Sequence, residues 1–191
     1  AIQGPQSHKI LSRVLQIPSN MKFLDIHSLE FNNQKILLSR TGYTGEDGFE
    51  ISIPFEISED FLNKLVNNEN TTLCGLGARD SLRVEAGLSL YGHELNEKIT
   101  PFDAGLSWAL EKSRFQDRKL NGVNVLINQM NNHPKNIKIG IIASNRSMIR
   151  EGMKLFDENE NNIGIVTSGC FSPILNKSIG IAYIESNFDF N

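Results

Sequence analysis

The sequence predicts an α+β protein in two parts, a mixed helix–strand region over residues 1–115 and a small antiparallel barrel or sandwich over residues 116–191. Two observations carry this prediction. The first region interleaves apolar residues at helical spacing with runs that alternate every second residue. Residues 138–185 instead hold short apolar runs separated by Asn/Glu and Gly/Ser/Pro turns, the pattern of a small all-β domain. The change of character falls within residues 113–135, which places the domain border there.

Residues 2–5 are expected as a strand closed by the Gly4-Pro5 turn. Over residues 6–15, Ile10, Leu11, Val14 and Leu15 stand at helical spacing and predict a short amphipathic helix ending before Pro18. KILLSR, residues 35–40, is a mostly buried strand. Phe49, Ile51 and Ile53 alternate with Glu50 and Ser52 as in a half-buried strand. Gly42, Gly45 and Gly48 make the connection between these two strands tight and backbone-exposed. Ser58 is expected to cap a helix over residues 59–67 with Phe61, Leu62, Leu65 and Val66 inward. Residues 67–72 are a polar loop. A further helix is expected over residues 76–87, with Leu76, Arg79, Arg83 and Ala86 on one stripe and Gly87 ending it. Residues 99–109, with Trp108, are expected to be extended, and residues 120–130 to be helical. Strands are predicted at 138–143, 153–157, 163–168 and 179–185, with Asn-rich loops at 67–70, 131–136 and 159–162.

The chain has 191 residues, 39% hydrophobic and 21% charged, the balance of an ordinary globular protein. A net charge of −3 and a pI near 5.8 argue against nucleic acid or an anionic membrane as the main partner. No apolar run approaches the roughly 20 residues of a membrane helix. Cys74 and Cys170 are expected as two buried free thiols in a reducing compartment. The first residue is not Met, no basic-then-apolar leader precedes the first helix, and the last residues follow a strand-like run. The chain is therefore expected to be a segment of a longer protein.

RTGYTGEDGFEI, residues 40–51, and GLGARDSLRVEAGLSLYGHEL, residues 75–95, carry the chemistry. Glu50 follows the glycine turn by two residues, where a pocket mouth can form. A carboxylate there can accept two parallel hydrogen bonds from a ring N–H and an adjacent amino group, as on a pterin or guanine edge. Arg79 and Arg83 share a helix face, and the planar fork of either can bind a carbonyl or carboxylate. Asp80 and Glu85 are assigned to holding helix and arginines in place. Tyr43, inside the glycine turn, and Trp108 offer flat faces to a ring. His8, His27, His93 and His133 show no metal-ligand spacing, and His93 is expected to be solvated or structurally bonded. No Ser-His-Asp elbow, P-loop or dinucleotide fingerprint is present, and the TGEDG turn is too short and acidic to wrap phosphates.

These two motifs, with NEKITPFDAGLSWAL after the second, AIQGPQS at the start and VTSGCFSPILNKSIGIAYI at residues 166–184, resemble the aminomethyltransferase (T-protein) family of the glycine cleavage system. The likeness covers nearly the whole chain. It implies part of a folate-binding cloverleaf followed by a small antiparallel β-barrel domain, incomplete at both ends. It implies transfer of an aminomethyl carbon from the dihydrolipoyl arm of the H-protein to tetrahydrofolate, giving 5,10-methylenetetrahydrofolate and ammonia, with no metal. Glu50 matches the family's pterin-binding glutamate and Arg79 its ligand-binding arginine, while Tyr43 and Trp108 match aromatics of the folate cavity. The family's catalytic aspartate belongs to a segment before residue 1 and a further arginine to one after residue 191. Residues 1–191 alone are therefore expected to be inactive, with no catalytic residue among them. The compartment implied is the bacterial cytoplasm or the mitochondrial matrix.

Two related readings remain. Folate domains of dimethylglycine- or sarcosine-oxidising enzymes resemble this fold but tend to carry an apolar residue where Asp47 stands. A non-catalytic folate-binding protein of iron–sulfur assembly would carry a cysteine-containing turn where TGEDG is found.

Overall fold

The computed structural model describes residues 1–111, 113–116 and 121–187. The chain separates into two compact units, Ala1–Ala86 and Gly87–Asn191.

In the first unit the strands β1 (Ile2–Gln3), β2 (Ile26–Phe31), β3 (Gln34–Ser39) and β4 (Gly48–Ser52) form an antiparallel sheet in the order β1-β4-β3-β2. Helices α1 (Ser7–Leu11), α2 (Phe55–Val66) and α3 (Leu76–Glu85) complete it. Period-two alternation decides the buried face. Phe31, Ile36, Leu38 and Phe49 pack with Ile10 and Leu11 of α1 and with Ile57, Phe61 and Leu65 of α2. Phe31 and Phe61 meet edge to face, with ring centroids 5.0 Å apart. Glu50 therefore stands on the opposite, open face, paired in register with Ser39.

Several expectations change. Strand β2 was not anticipated. Its partner β3 follows a two-residue turn in which Asn32 and Asn33 both have positive φ, 49° and 58°, the conformation that matches hairpin twist. Helix α1 stops at Leu11, where the Ser12 hydroxyl donates to the Lys9 carbonyl and competes with helix continuation. Helix α2 begins one turn earlier than predicted. Pro54 takes the cap position, Glu56 lies in the first turn near the positive end of the helix dipole, and Ser58 sits inside, donating to the Phe55 carbonyl at 2.7 Å. The buried stripe is Ile57, Phe61 and Leu65, spaced by four, so Leu62 is exposed and Val66 only half-buried. Helix α3 ends as expected, with Gly87 at φ 69°.

In the second unit residues 99–109 are not extended. Thr100-Pro101-Phe102-Asp103 forms a turn closed by a reciprocal pair of bonds: the Thr100 N–H donates to Asp103 Oδ2 at 3.0 Å, and the Asp103 N–H to Thr100 Oγ1 at 3.2 Å. A 3-10 turn, Ser107–Ala109, carries Trp108. Helix α4 (Ser113–Gln116) and helix α5 (Val123–Asn132) follow. The start proposed for α5 at Leu120 lies outside the described residues, and the first two residues of the 131–136 loop are its last helical residues. Strands β5 (Asn136–Ile142), β6 (Lys154–Phe156), β7 (Asn162–Ser172) and β8 (Lys177–Glu185) form an antiparallel sheet in the order β5-β8-β7-β6. Strand β8 is central and buried from Ser178 to Ile184.

Loop 87–95 is fastened to this sheet by Glu94, which is fully buried. A register shift in β7 between Val166 and Ser168 lets two consecutive hydroxyls aim the same way. Thr167 Oγ1 and Ser168 Oγ both donate to Glu94 Oε1 at 2.6 Å, the Leu90 N–H donates to Oε2 at 3.0 Å, and Tyr183 donates to the Glu94 carbonyl at 2.9 Å. Lys138 Nζ donates to the Gly87 carbonyl and to Ser89 Oγ. Burial pulls the Lys138 pKa down, partly offset by the Glu94 charge. Cys74 and Cys170 are both free, but Cys74 is exposed, since it lies in the loop entering α3 and not in the core.

Candidate functional site

The TGYTGEDG loop, residues 41–48, is shaped by close packing. Gln3 of β1 inserts into it: its Nε2 donates to the Thr41 carbonyl at 3.1 Å, and its Oε1 accepts from Thr44 Oγ1 at 3.2 Å. A Cβ at Gly42 would collide with the Gln3 side chain. Gly45 has φ 78°, and a Cβ there would come within 2.9 Å of Ala86 Cβ at the end of α3. Only glycine lets both approaches occur.

A two-pronged ion pair closes the loop. Arg40 Nε and Nη2 donate to Asp47 Oδ1 and Oδ2, each at 2.9 Å, and Arg40 Nη1 donates to the Met21 carbonyl. The Arg40 partnership holds the Asp47 carboxyl below its ordinary range. The Asp47 carbonyl in turn accepts from the Gly4 N–H and the Ser7 hydroxyl.

Two of the predicted site residues are brought together. The Arg79 guanidinium carbon lies 4.8 Å from the Tyr43 ring centroid, a cation–π stack. The Arg79 guanidinium makes no hydrogen bond or ion pair among the described residues, so its fork remains available to an oxygen ligand. Arg83, on the same helix, takes the other role: it is buried and bonded to Asp80 at 2.7 Å, as expected of a positioning pair. Glu50 is exposed on β4, with Oε2 accepting from Thr41 Oγ1 at 2.6 Å. Its Oε1 has no hydrogen-bond partner among the described residues. Trp108 belongs to the second unit and is 72% exposed on its 3-10 turn. His93 Nδ1 lies 3.1 Å from Glu151 Oε2 without the alignment of a hydrogen bond.

Arg79 also lines a cavity of about 770 Å³ with Gln3, Thr44, Leu62 and Leu65. Glu50 and Tyr43 do not line it. Sequence reasoning missed Gln3, Thr41 and the Arg40–Asp47 clasp. The clasp was open to detection as two opposite charges flanking the glycine turn. The Gln3 contact spans most of forty residues and left no local signal.

The second unit holds a separate cavity of about 420 Å³, lined by His93, Lys154, Thr167 and Tyr183 among others. No helix among the described residues is long and apolar enough to cross a membrane.

A mixed helix–strand unit followed by a unit built on an antiparallel sheet is the class these features define. The GCVT N-terminal domain matches residues 1–114 and the glycine cleavage T-protein C-terminal barrel domain residues 138–190. The chain belongs to the glycine cleavage T-protein family. It is 43% identical over 189 residues to the mitochondrial aminomethyltransferase of Pisum sativum, covering 97% of this chain and 46% of that protein. It is 37% identical over 188 residues to the probable mitochondrial aminomethyltransferase of Schizosaccharomyces pombe, covering 97% and 48%. The crystal structure of the glycine cleavage system aminomethyltransferase T from Bartonella henselae superposes with a TM-score of 0.86 at 35% identity, covering 96% of this chain and 50% of that one. The chain thus spans about half the length of the relatives it matches.

Proposed function

We propose that this chain forms the folate-holding part of an aminomethyltransferase of the glycine cleavage system. In the complete protein the aminomethyl carbon passes from the dihydrolipoyl arm of the H-protein to tetrahydrofolate, with release of ammonia. The folate-holding region is assigned to residues 1–115 and the barrel domain to residues 116–191, in a bacterial cytoplasm or a mitochondrial matrix.

The observation that carries the reading is the pair of unspent groups in the first unit: the Glu50 Oε1 edge and the Arg79 fork on Tyr43. The donor set fits a reduced pterin. Glu50 accepts the ring N–H and exocyclic amino group, Arg79 donates to an oxygen, and Tyr43 and Trp108 offer faces to flat rings. Tetrahydrofolate, when bound, supplies the nucleophilic N5. The chain's own contribution is to hold that nitrogen's ring in one orientation, and proximity of this kind is worth on the order of 7 kcal/mol or more. The acid that steers the proton as ammonia leaves is assigned to a segment outside residues 1–191.

The test is turnover with lipoylated H-protein and tetrahydrofolate. The complete protein is expected to form 5,10-methylenetetrahydrofolate and ammonia, and residues 1–191 alone to give only background. Turnover by the 191-residue chain would show that the proton-steering acid has been misplaced. Glu50→Ala in the complete protein is expected to weaken tetrahydrofolate binding by roughly 2–4 kcal/mol, the loss of a charge-assisted pair. An unchanged calorimetric titration would remove Glu50 from the site.

A further inference from the structure

Glu50 is not held by a positive charge. Its anchor is a pair of hydroxyls on the open face of the sheet, and counting hydrogens fixes the direction of both bonds. Thr41 Oγ1 donates its one hydrogen to Glu50 Oε2 at 2.6 Å. The 3.0 Å contact between Ser39 Oγ and Thr41 Oγ1 must then be donated by Ser39. That use of the Ser39 hydrogen competes with its longer bond, 3.3 Å, to the Glu50 carbonyl. Ser39 faces Glu50 across the β3–β4 register. The Thr41 backbone is fixed independently, because its carbonyl accepts from Gln3 Nε2.

From this chain of donors we propose that Thr41 is a positioning residue for the ligand edge that Glu50 receives. It clamps one carboxylate oxygen, so that Oε1 and the remaining lone pair of Oε2 face outward in a fixed plane. The Thr41 hydrogen points to the carboxylate and the Ser39 hydrogen to Thr41 Oγ1, so neither hydroxyl offers a donor to the ligand and the group presents acceptors only. It then selects a ligand edge made of two donors, such as an amino group beside a ring N–H. The proposal rests on the assignment of Glu50 to the folate, and the experiment separates the two.

Tetrahydrofolate affinity is measured by calorimetric titration on the complete protein and on its Glu50→Gln, Thr41→Val, Thr41→Ala, Thr41→Ser and Thr41→Val/Glu50→Gln variants. Thr41→Val and Thr41→Ala are expected to weaken binding about tenfold, and Thr41→Ser to restore it to within about twofold. In the Glu50→Gln background Thr41→Val is expected to add less than about twofold, because the bond it removes orients a carboxylate no longer present. Should Thr41→Val not fold, Thr41→Ala carries the same comparison without the added methyl. Weakening by Glu50→Gln with wild-type affinity in Thr41→Val and Thr41→Ala would overturn the role of Thr41 alone. Equal weakening in Thr41→Ser and Thr41→Val would assign the effect to loop packing and also overturn it. No weakening in Glu50→Gln would remove both this proposal and the folate assignment of Glu50.

Discussion

At the scale of single residues, Glu50 and Glu94 do opposite work. Glu50 leaves one oxygen unspent toward solvent, whereas Glu94 is wholly buried and its carboxylate oxygens receive two hydroxyls and a backbone N–H. Removing Glu94 strands buried donors, so Glu94→Ala is expected to destabilise the protein by roughly 3–5 kcal/mol in urea unfolding. Glu94→Gln keeps an oxygen for Thr167 and Ser168 but turns an amide N–H against the Leu90 N–H, and should cost less, about 1–3 kcal/mol. Equal stability of wild type and Glu94→Ala would show the network to be dispensable. Arg79→Lys probes the other kind of residue. The ammonium lacks the fork and stacks poorly on Tyr43, so tetrahydrofolate binding is expected to weaken by about 1 kcal/mol with little change in stability. Wild-type affinity would take Arg79 out of the ligand site.

At the scale of elements, α2 shows what the sequence could and could not specify. Its existence and its buried residues Phe61 and Leu65 were legible from spacing, yet Ser58 is the wrong residue to start it. A serine ahead of an apolar run resembles a cap, but Ile57 extends the buried stripe one turn back and Pro54 tolerates the position before the first free N–H groups. Ser58→Ala should therefore cost a few tenths of a kcal/mol in thermal unfolding, not the ~1 kcal/mol of a lost cap. A loss near the larger figure would restore the cap assignment. Residues 99–109 were expected to be extended, while the Thr-Pro-Phe-Asp stretch closes a turn there through reciprocal Thr100–Asp103 bonds. The strand pair β3–β4 and the glycine loop between them were legible because their chemistry is local. Gln3 gains its role only once β1 pairs with β4, a contact no local pattern announces.

At the scale of the whole molecule, stability should respond to alkaline pH through one buried phenol. Burial, with the negative charges of Glu94 and Asp103, pushes the Tyr183 pKa from its ordinary value of 10.0 up to about 12. The folded state then keeps a proton that the unfolded chain gives up first. With fewer protons bound in the unfolded state, stability must fall as pH rises. The contribution is complete below pH 10, declines from there, and is gone once the folded-state phenol has itself ionised near pH 12. A chain already carrying a net charge of −3 gains further negative charge over the same range, so a bare alkaline decline would not single out Tyr183. Comparison with Tyr183→Phe does. At about pH 8 the variant should be less stable by about 1 kcal/mol, the bond to the Glu94 carbonyl having been lost. General repulsion acts on both proteins equally, whereas the phenol's ionisation penalises only the wild type. The gap in urea midpoints should therefore narrow by about pH 11. A gap that stays constant would mean that Tyr183 ionises at the same pH folded and unfolded, and that its burial against Glu94 carries no electrostatic cost.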